Sequence, residues 1–165
     1  MIFVTVGHEL GFDRLIRAVD IWSQSQDVQV FGQLAELTPE SYRPQNFDYV
    51  DYLGPTEYQK KFDQAELIIS HAGMGTIITA QTTGKPLLIM PRRGQLKETR
   101  NDHQVATARK FCGKSGIFVA DDETVFPNVI KVALEAVHTA DRPSASEFAE
   151  PALLDALRHF IKENG

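Results

Sequence analysis

A chain of 165 residues can hold one domain with a proper core, but not two full-sized ones. Hydrophobic residues make up 42% and charged residues 24%, an ordinary balance for a globular fold, and a formal net charge of -5 argues against a nucleic-acid binder held by bulk electrostatics. The lone cysteine, Cys112, excludes an internal disulfide and a cysteine metal cluster, fits a reducing compartment, and reads as a small apolar residue near a helix end.

The first apolar run, residues 2–6, is β-branched, ends at Gly7, and reads as a buried parallel strand. That run is too short for a secretory signal core, and no stretch approaches the ~20 apolar residues that span a bilayer. The sequence therefore predicts a cytoplasmic protein, with membrane contact through a partner left open. Phe12, Leu15, Ile16, Val19 and Trp22 form a helical stripe over residues 12–24. Strands are predicted at 28–31 and 49–53, and Thr56 can cap a short helix through Phe62. A fourth strand at 67–70 leads into a helix at 76–83, which Gly84 stops. A strand at 86–90, a helix at 102–111, a strand at 116–119 and a long helix at 124–139 follow. The amphipathic stretch 151–163 carries Leu153, Leu154, Leu157, Phe160 and Ile161 on one face, after a short linker-like segment. We divide the chain into a Rossmann-like domain over 1–140 and, at 141–165, a linker and terminal helix of the same domain. That helix is expected to help dock a partner.

Alternating strands and helices mean an α/β fold: a parallel sheet with right-handed crossovers and helices on both faces. Ligands of such sheets sit at the carboxyl ends of the strands, near the topological switch. Three polar, glycine-bearing loops fall at that edge: residues 7–11, 71–76 and 91–103. The middle one, His71-Ala-Gly-Met-Gly-Thr76, reads as strand, glycine loop and helix start. Glycines let a backbone approach a ligand closely, and a helix start aims free N–H groups and a positive dipole end at it. This is an anion site, and diphosphate is the usual anion. The glycine spacing fits neither a P-loop nor a dinucleotide fingerprint, which counts against a nicotinamide-binding domain.

Thr5-Val-Gly7 with Phe12-Asp-Arg-Leu-Ile16, the glycine loop, Gly84-Lys-Pro86, Met90-Pro-Arg92 and Asn101-Asp-His-Gln104 together resemble the glycosyltransferase family 28 C-terminal domain. The likeness covers roughly residues 1–137 and is greatest to small stand-alone members. Those are the catalytic subunits of two-piece bacterial exopolysaccharide glycosyltransferases and the eukaryotic Alg13 subunit. The resemblance implies the C-terminal half of a GT-B enzyme, which binds a UDP-sugar donor and needs neither a metal nor a further cofactor. It implies a membrane-anchored, acceptor-binding partner (Alg14-like) and a saccharide on a lipid carrier as acceptor. The process implied is exopolysaccharide or capsule assembly. A regulatory or enhancer subunit that binds a nucleotide sugar without transferring it is the other reading.

Carried over residue by residue, the resemblance places His71 facing the donor diphosphate, and the backbone of Gly73, Gly75 and Thr76 around it. Gly7 belongs to the first loop of the same site. His103 and Gln104 match the pair that contacts the donor sugar hydroxyls. Relatives often place an acidic residue where this chain has Thr79, so ribose recognition is altered here. His8 stands where close relatives tend to have threonine after the glycine, with Glu9 beside it. An imidazole there can bind a phosphate or act as base on the acceptor hydroxyl, simple loop variation being an equal reading, and Glu9 is a second base candidate. Arg92, at a strand end, is expected to touch a diphosphate; Arg93 and Lys85 read as a solvated loop charge and a helix-terminus charge. Residues 94–100 read as a mobile flap.

Overall fold

The structure is a computed structural model, and it describes residues 1–7 and 10–139. The expected bases His8 and Glu9 and the expected terminal helix at 151–163 lie outside the described residues.

Six parallel strands form one sheet in the order β3-β2-β1-β4-β5-β6. They are β1 (Ile2–Thr5), β2 (Val30–Gln33), β3 (Asp48–Val50), β4 (Leu67–His71), β5 (Leu87–Met90) and β6 (Ile117–Val119). The connecting helices are α1 (Asp13–Ser23), α2 (Pro55–Gln64), α3 (Met74–Thr83), α4 (His103–Phe111) and α5 (Phe126–Thr139). Period-two alternation divides the strand side chains between two cores. Ile2, Val4, Leu67, Ile69, Leu88 and Met90 pack with Leu15, Ile16 and Val19 of α1 and Phe126, Ile130 and Ala133 of α5. Phe3, Ile68, Leu87 and Ile89 face the other way, onto Phe62 of α2, Ile77 and Ala80 of α3, and Ala108 and Phe111 of α4. Helices thus cover both faces, as the strand–helix alternation predicts.

Several local expectations change. β2 lies two residues later than its apolar run suggests, because Gln33 is a buried strand residue whose side chain is used. Its amide donates to the Gly7 carbonyl (3.5 Å) and accepts from the Leu53 N–H (3.0 Å), bridging three strand ends. Thr56 caps nothing; α2 starts at Pro55 after Gly54, where the missing proline N–H would be unpaired in any case. Lys85 does serve a helix terminus, but that of α2: its ammonium donates to the carbonyls of Ala65 (2.8 Å) and Asp63. Cys112 is the exposed C-cap of α4. The expected flap is anchored: after a 3-10 turn at Gly94–Leu96, Glu98 accepts from Arg14 Nε (2.9 Å), Arg14 Nη2 (2.8 Å) and the Arg93 N–H (2.9 Å).

Asp20 of α1 organises the turn before β3. Its carboxylate accepts from the Tyr42 hydroxyl (2.6 Å) and from the N–H groups of Gln45 (3.0 Å) and Asn46 (2.8 Å). Burial pushes its carboxyl up, but these hydrogen bonds outweigh burial and hold it below the ordinary carboxylate value. Asp20→Ala is expected to destabilise the fold by about 2–3 kcal/mol, since buried donors lose an ionised acceptor. The depressed value makes Asp20's contribution full above the unfolded-state value and lost as pH falls through the folded one. Urea unfolding of parent and variant at neutral pH and at acid pH checks both: the gap between the two curves narrows as pH falls.

Candidate functional site

The sheet order reverses between β1 and β4, and the crevice outside their carboxyl ends is where such a sheet accepts a ligand. The first loop leaves β1 there, and the glycine loop leaves β4. Gly73 is the N-cap of α3 in extended conformation, and Met74, Gly75 and Thr76 form the helix's first turn. α3 thus starts two residues earlier than expected, which brings Gly75 and Thr76 to the dipole end itself. No side chain caps this end and the first turn carries no acidic residue, so its N–H groups remain available to an anion.

A cavity of about 330 Å³ lies against this turn, lined by Gly7, His71, Gly73, Gly75, Thr76, Arg92, His103 and Gln104. The fold therefore brings together all but one of the described residues expected at the donor site. The exception is Thr79, whose hydroxyl donates to the Gly75 carbonyl (2.9 Å) within α3. Val6, Leu10, Glu98 and Thr99 complete the wall and were not foreseen as donor-site residues. A larger open groove of about 1360 Å³ runs along α1 past Ile21 and Trp22, and none of the expected donor-site residues line it. We place the site at the smaller cavity because the helix terminus and the convergent polar groups are there.

His71 ends β4 with its ring wedged between two glycines. A Cβ on Gly73 would come within 2.3 Å of its Nε2, and one on Gly7 within 3.3 Å of its Cε1. Gly7 has φ +86°, a left-handed conformation that favours glycine on its own account. Burial, and then the charge of Arg92, push the imidazole down to about 4, against the opposing effect of a hydrogen bond to the Thr5 carbonyl. His71 is accordingly neutral at pH 7. Its ring-proton resonances are expected to titrate near pH 4, not near the ordinary 6.5, when followed by NMR. Because the folded value is the lower one, the unfolded chain binds more protons between about 4 and 6.5, and His71 destabilises the fold by up to roughly 3 kcal/mol as pH falls through that window.

Arg92 lies differently from its expected phosphate contact. The residue is 5% exposed, and its guanidinium donates to the carbonyls of Gly11 (2.7 Å), Leu10 (2.6 Å) and Val6 (3.1 Å). It also lies over the Phe12 ring, 4.6 Å from the centroid. Its fork is committed to shaping the first loop. The Arg92 N–H in turn donates to Gln104 Oε1 (3.2 Å), which fixes that amide with its NH₂ as a remaining donor at the cavity. His103, exposed at the start of α4, donates from Nδ1 to Asn101 Oδ1, leaving Nε2 as an acceptor. Arg93 takes part in a loop ion pair with Asp122 (3.8 Å). Sequence reasoning missed Ser70, whose buried hydroxyl joins the Thr5 carbonyl (2.7 Å) to His71 Nδ1 (3.4 Å); a serine ending an otherwise apolar strand was the available signal.

Among the described residues, no group of three or more His, Cys, Asp or Glu is placed to hold a metal ion, and no helix is long and apolar enough to cross a membrane.

Comparison with known proteins agrees with this geometry. The model of the glycosyltransferase family 28 C-terminal domain matches residues 1–154. The chain is 28% identical over 125 residues to the human "UDP-N-acetylglucosamine transferase subunit ALG13", a match covering 71% of this chain and 11% of that protein. It is 26% identical over 136 residues to the Thermus thermophilus "UDP-N-acetylglucosamine--N-acetylmuramyl-(pentapeptide) pyrophosphoryl-undecaprenol N-acetylglucosamine transferase", covering 81% of this chain and 39% of that one. The chain thus spans well under two thirds of the length of either relative. The crystal structure of Acinetobacter baumannii MurG superposes with a TM-score of 0.63 at 17% identity, covering 98% of this chain and 49% of MurG. The glycotransferase of kitacinnamycin gives 0.59 at 18%, covering 98% of this chain and 38% of its own. These two likenesses show a shared Rossmann-like α/β fold.

Proposed function

The chain belongs to the glycosyltransferase family 28 C-terminal domain family, and from that premise we propose that it is the donor-binding catalytic subunit of a two-component UDP-sugar hexosyltransferase. The observation that carries this reading is the uncapped, acid-free start of α3 facing a cavity that Gln104 and His103 also line. A diphosphate fits the first and sugar hydroxyls fit the second. As the glycosidic bond breaks, negative charge builds on the leaving phosphate, and fixed N–H groups of Gly75 and Thr76 stabilise it more in the transition state than in the ground state. The Gln104 NH₂ and the His103 Nε2 supply a donor and an acceptor for the sugar.

The acceptor hydroxyl must be held beside the anomeric carbon, and the two-domain GT-B pattern assigns that task to a second half. We assign it to a membrane-anchored partner subunit that presents a lipid-linked saccharide at the inner face of the cytoplasmic membrane, in exopolysaccharide or capsule assembly. The names of the relatives, one a transferase subunit and one a transferase acting on a pyrophosphoryl-undecaprenol substrate, support this direction. His8, or Glu9 beside it, is the proposed base on the acceptor hydroxyl.

Calorimetric titration with UDP, UDP-sugars, GDP and ADP tests the donor site, first on the chain alone and then with the candidate partner. Selective UDP binding supports the reading. Absence of UDP binding in both settings refutes it.

A further inference from the structure

We propose that His71 is a neutral positioning residue that carries its one ring proton on Nδ1, so that the donor diphosphate is met by the backbone N–H groups of the glycine loop and not by an imidazolium. The second half of this statement rests on the nucleotide-sugar reading above; the first half does not.

The proton's place follows from its neighbours. The Ser70 hydroxyl donates its only proton to the Thr5 carbonyl (2.7 Å), so the Ser70 oxygen offers only lone pairs to His71 Nδ1, 3.4 Å away. The Thr5 carbonyl also accepts a hydrogen bond from the ring. The Ser70 lone pairs facing Nδ1 require an N–H there. A neutral imidazole has one N–H, which leaves Nε2 with a lone pair. That atom lies against the Gly73 backbone, where a Cβ would approach to 2.3 Å.

The surroundings oppose a second proton. Among the described residues, Arg92, Glu98 and His103 are the other charged or titratable groups lining the same cavity. The Glu98 carboxylate is turned to Arg14 at 2.8 Å, so it does not neutralise Arg92. The burial and the nearby guanidinium that hold the imidazole at about 4 act in the same direction. What remains for the ring is mechanical. It rests on Gly7 of the first loop and Gly73 of the glycine loop, and so sets the gap between the two loops that flank the switch point.

Long-range ¹H–¹⁵N spectra of the histidine side chains, taken on the full chain at pH 7 with and without saturating UDP, test this directly. The expected pattern is Nδ1–H in both states. An Nε2–H pattern in the free chain, or an imidazolium on UDP addition, overturns the proposal. A pair of variants reads the role separately: Asn places its amide N–H near the Nδ1 position and Gln near the Nε2 position. His71→Gln is expected to weaken UDP binding about tenfold more than His71→Asn, and the reverse order overturns the proposal. Should the chain bind no UDP, the nucleotide-sugar reading and the diphosphate half fail, while the free-state spectrum still decides where the proton is.

Discussion

Gly75→Asp is expected to weaken the proposed UDP binding severely while the fold stays as stable as the parent or gains slightly. The two effects have opposite signs because they act on different things. Gly75 lies in the first turn of α3, and a Cβ there meets nothing within 4 Å, so no packing is disturbed. Aspartate is only slightly the better helix former, worth roughly a few tenths of a kcal/mol over glycine, and an acidic side chain near a helix N-terminus adds about 0.3–1 kcal/mol. The same carboxylate occupies the space a phosphate would take and repels it, so UDP affinity is expected to fall by at least about 100-fold, near 2.7 kcal/mol. Calorimetry and a thermal melt on one preparation read both effects. Undiminished UDP affinity would place the anion elsewhere than the start of α3. Gly73→Ala is the contrasting case: its Cβ would come within 2.3 Å of the buried His71 ring, so stability and binding fall together.

The fold was legible because its signals are local. Residues 67–70 and 87–90 are short apolar runs between turn residues, and the glycine loop falls between such a run and a helix stopped by Gly84, which the structure shows with φ +65°. The heart of the site was legible for the same reason, since His71, Gly73, Gly75 and Thr76 fall within one short loop. What escaped depends on distant partners. Asp20 sits on a helix whose stripe does not require it, and it is buried only because residues 42–46 close over it. Gln33 fell outside the strand predicted at 28–31 because nothing in the sequence marks the bridge its side chain makes to Gly7 and Leu53. Residues 94–100 read as a flap because nothing nearby in sequence marks the Arg14–Glu98 pair. Arg92 read as a phosphate ligand because its acceptors are backbone carbonyls 81 to 86 positions away, and a carbonyl has no letter in the sequence.

That last difference has the largest expected consequence for stability. Arg92→Met keeps most of the packing against Phe12 but removes the donors to the carbonyls of Val6, Leu10 and Gly11. Each buried carbonyl left without a donor costs about 1–3 kcal/mol, and removing one side of a buried charged network about 3–5 kcal/mol in all. Some of the loss is recovered where water reaches the loop, so we expect about 3–4 kcal/mol in urea unfolding. Arg92→Lys recovers little of it, because a single ammonium cannot copy the planar fork that spans three carbonyls. Losing the guanidinium also removes the second cause that holds His71 down, so its midpoint rises from about 4 toward the ordinary value while burial still opposes it. A destabilisation below about 1 kcal/mol would mean that the first loop holds its shape without Arg92. A large destabilisation with an unmoved His71 titration would mean that the two residues, though they line one cavity, do not sense each other's charge.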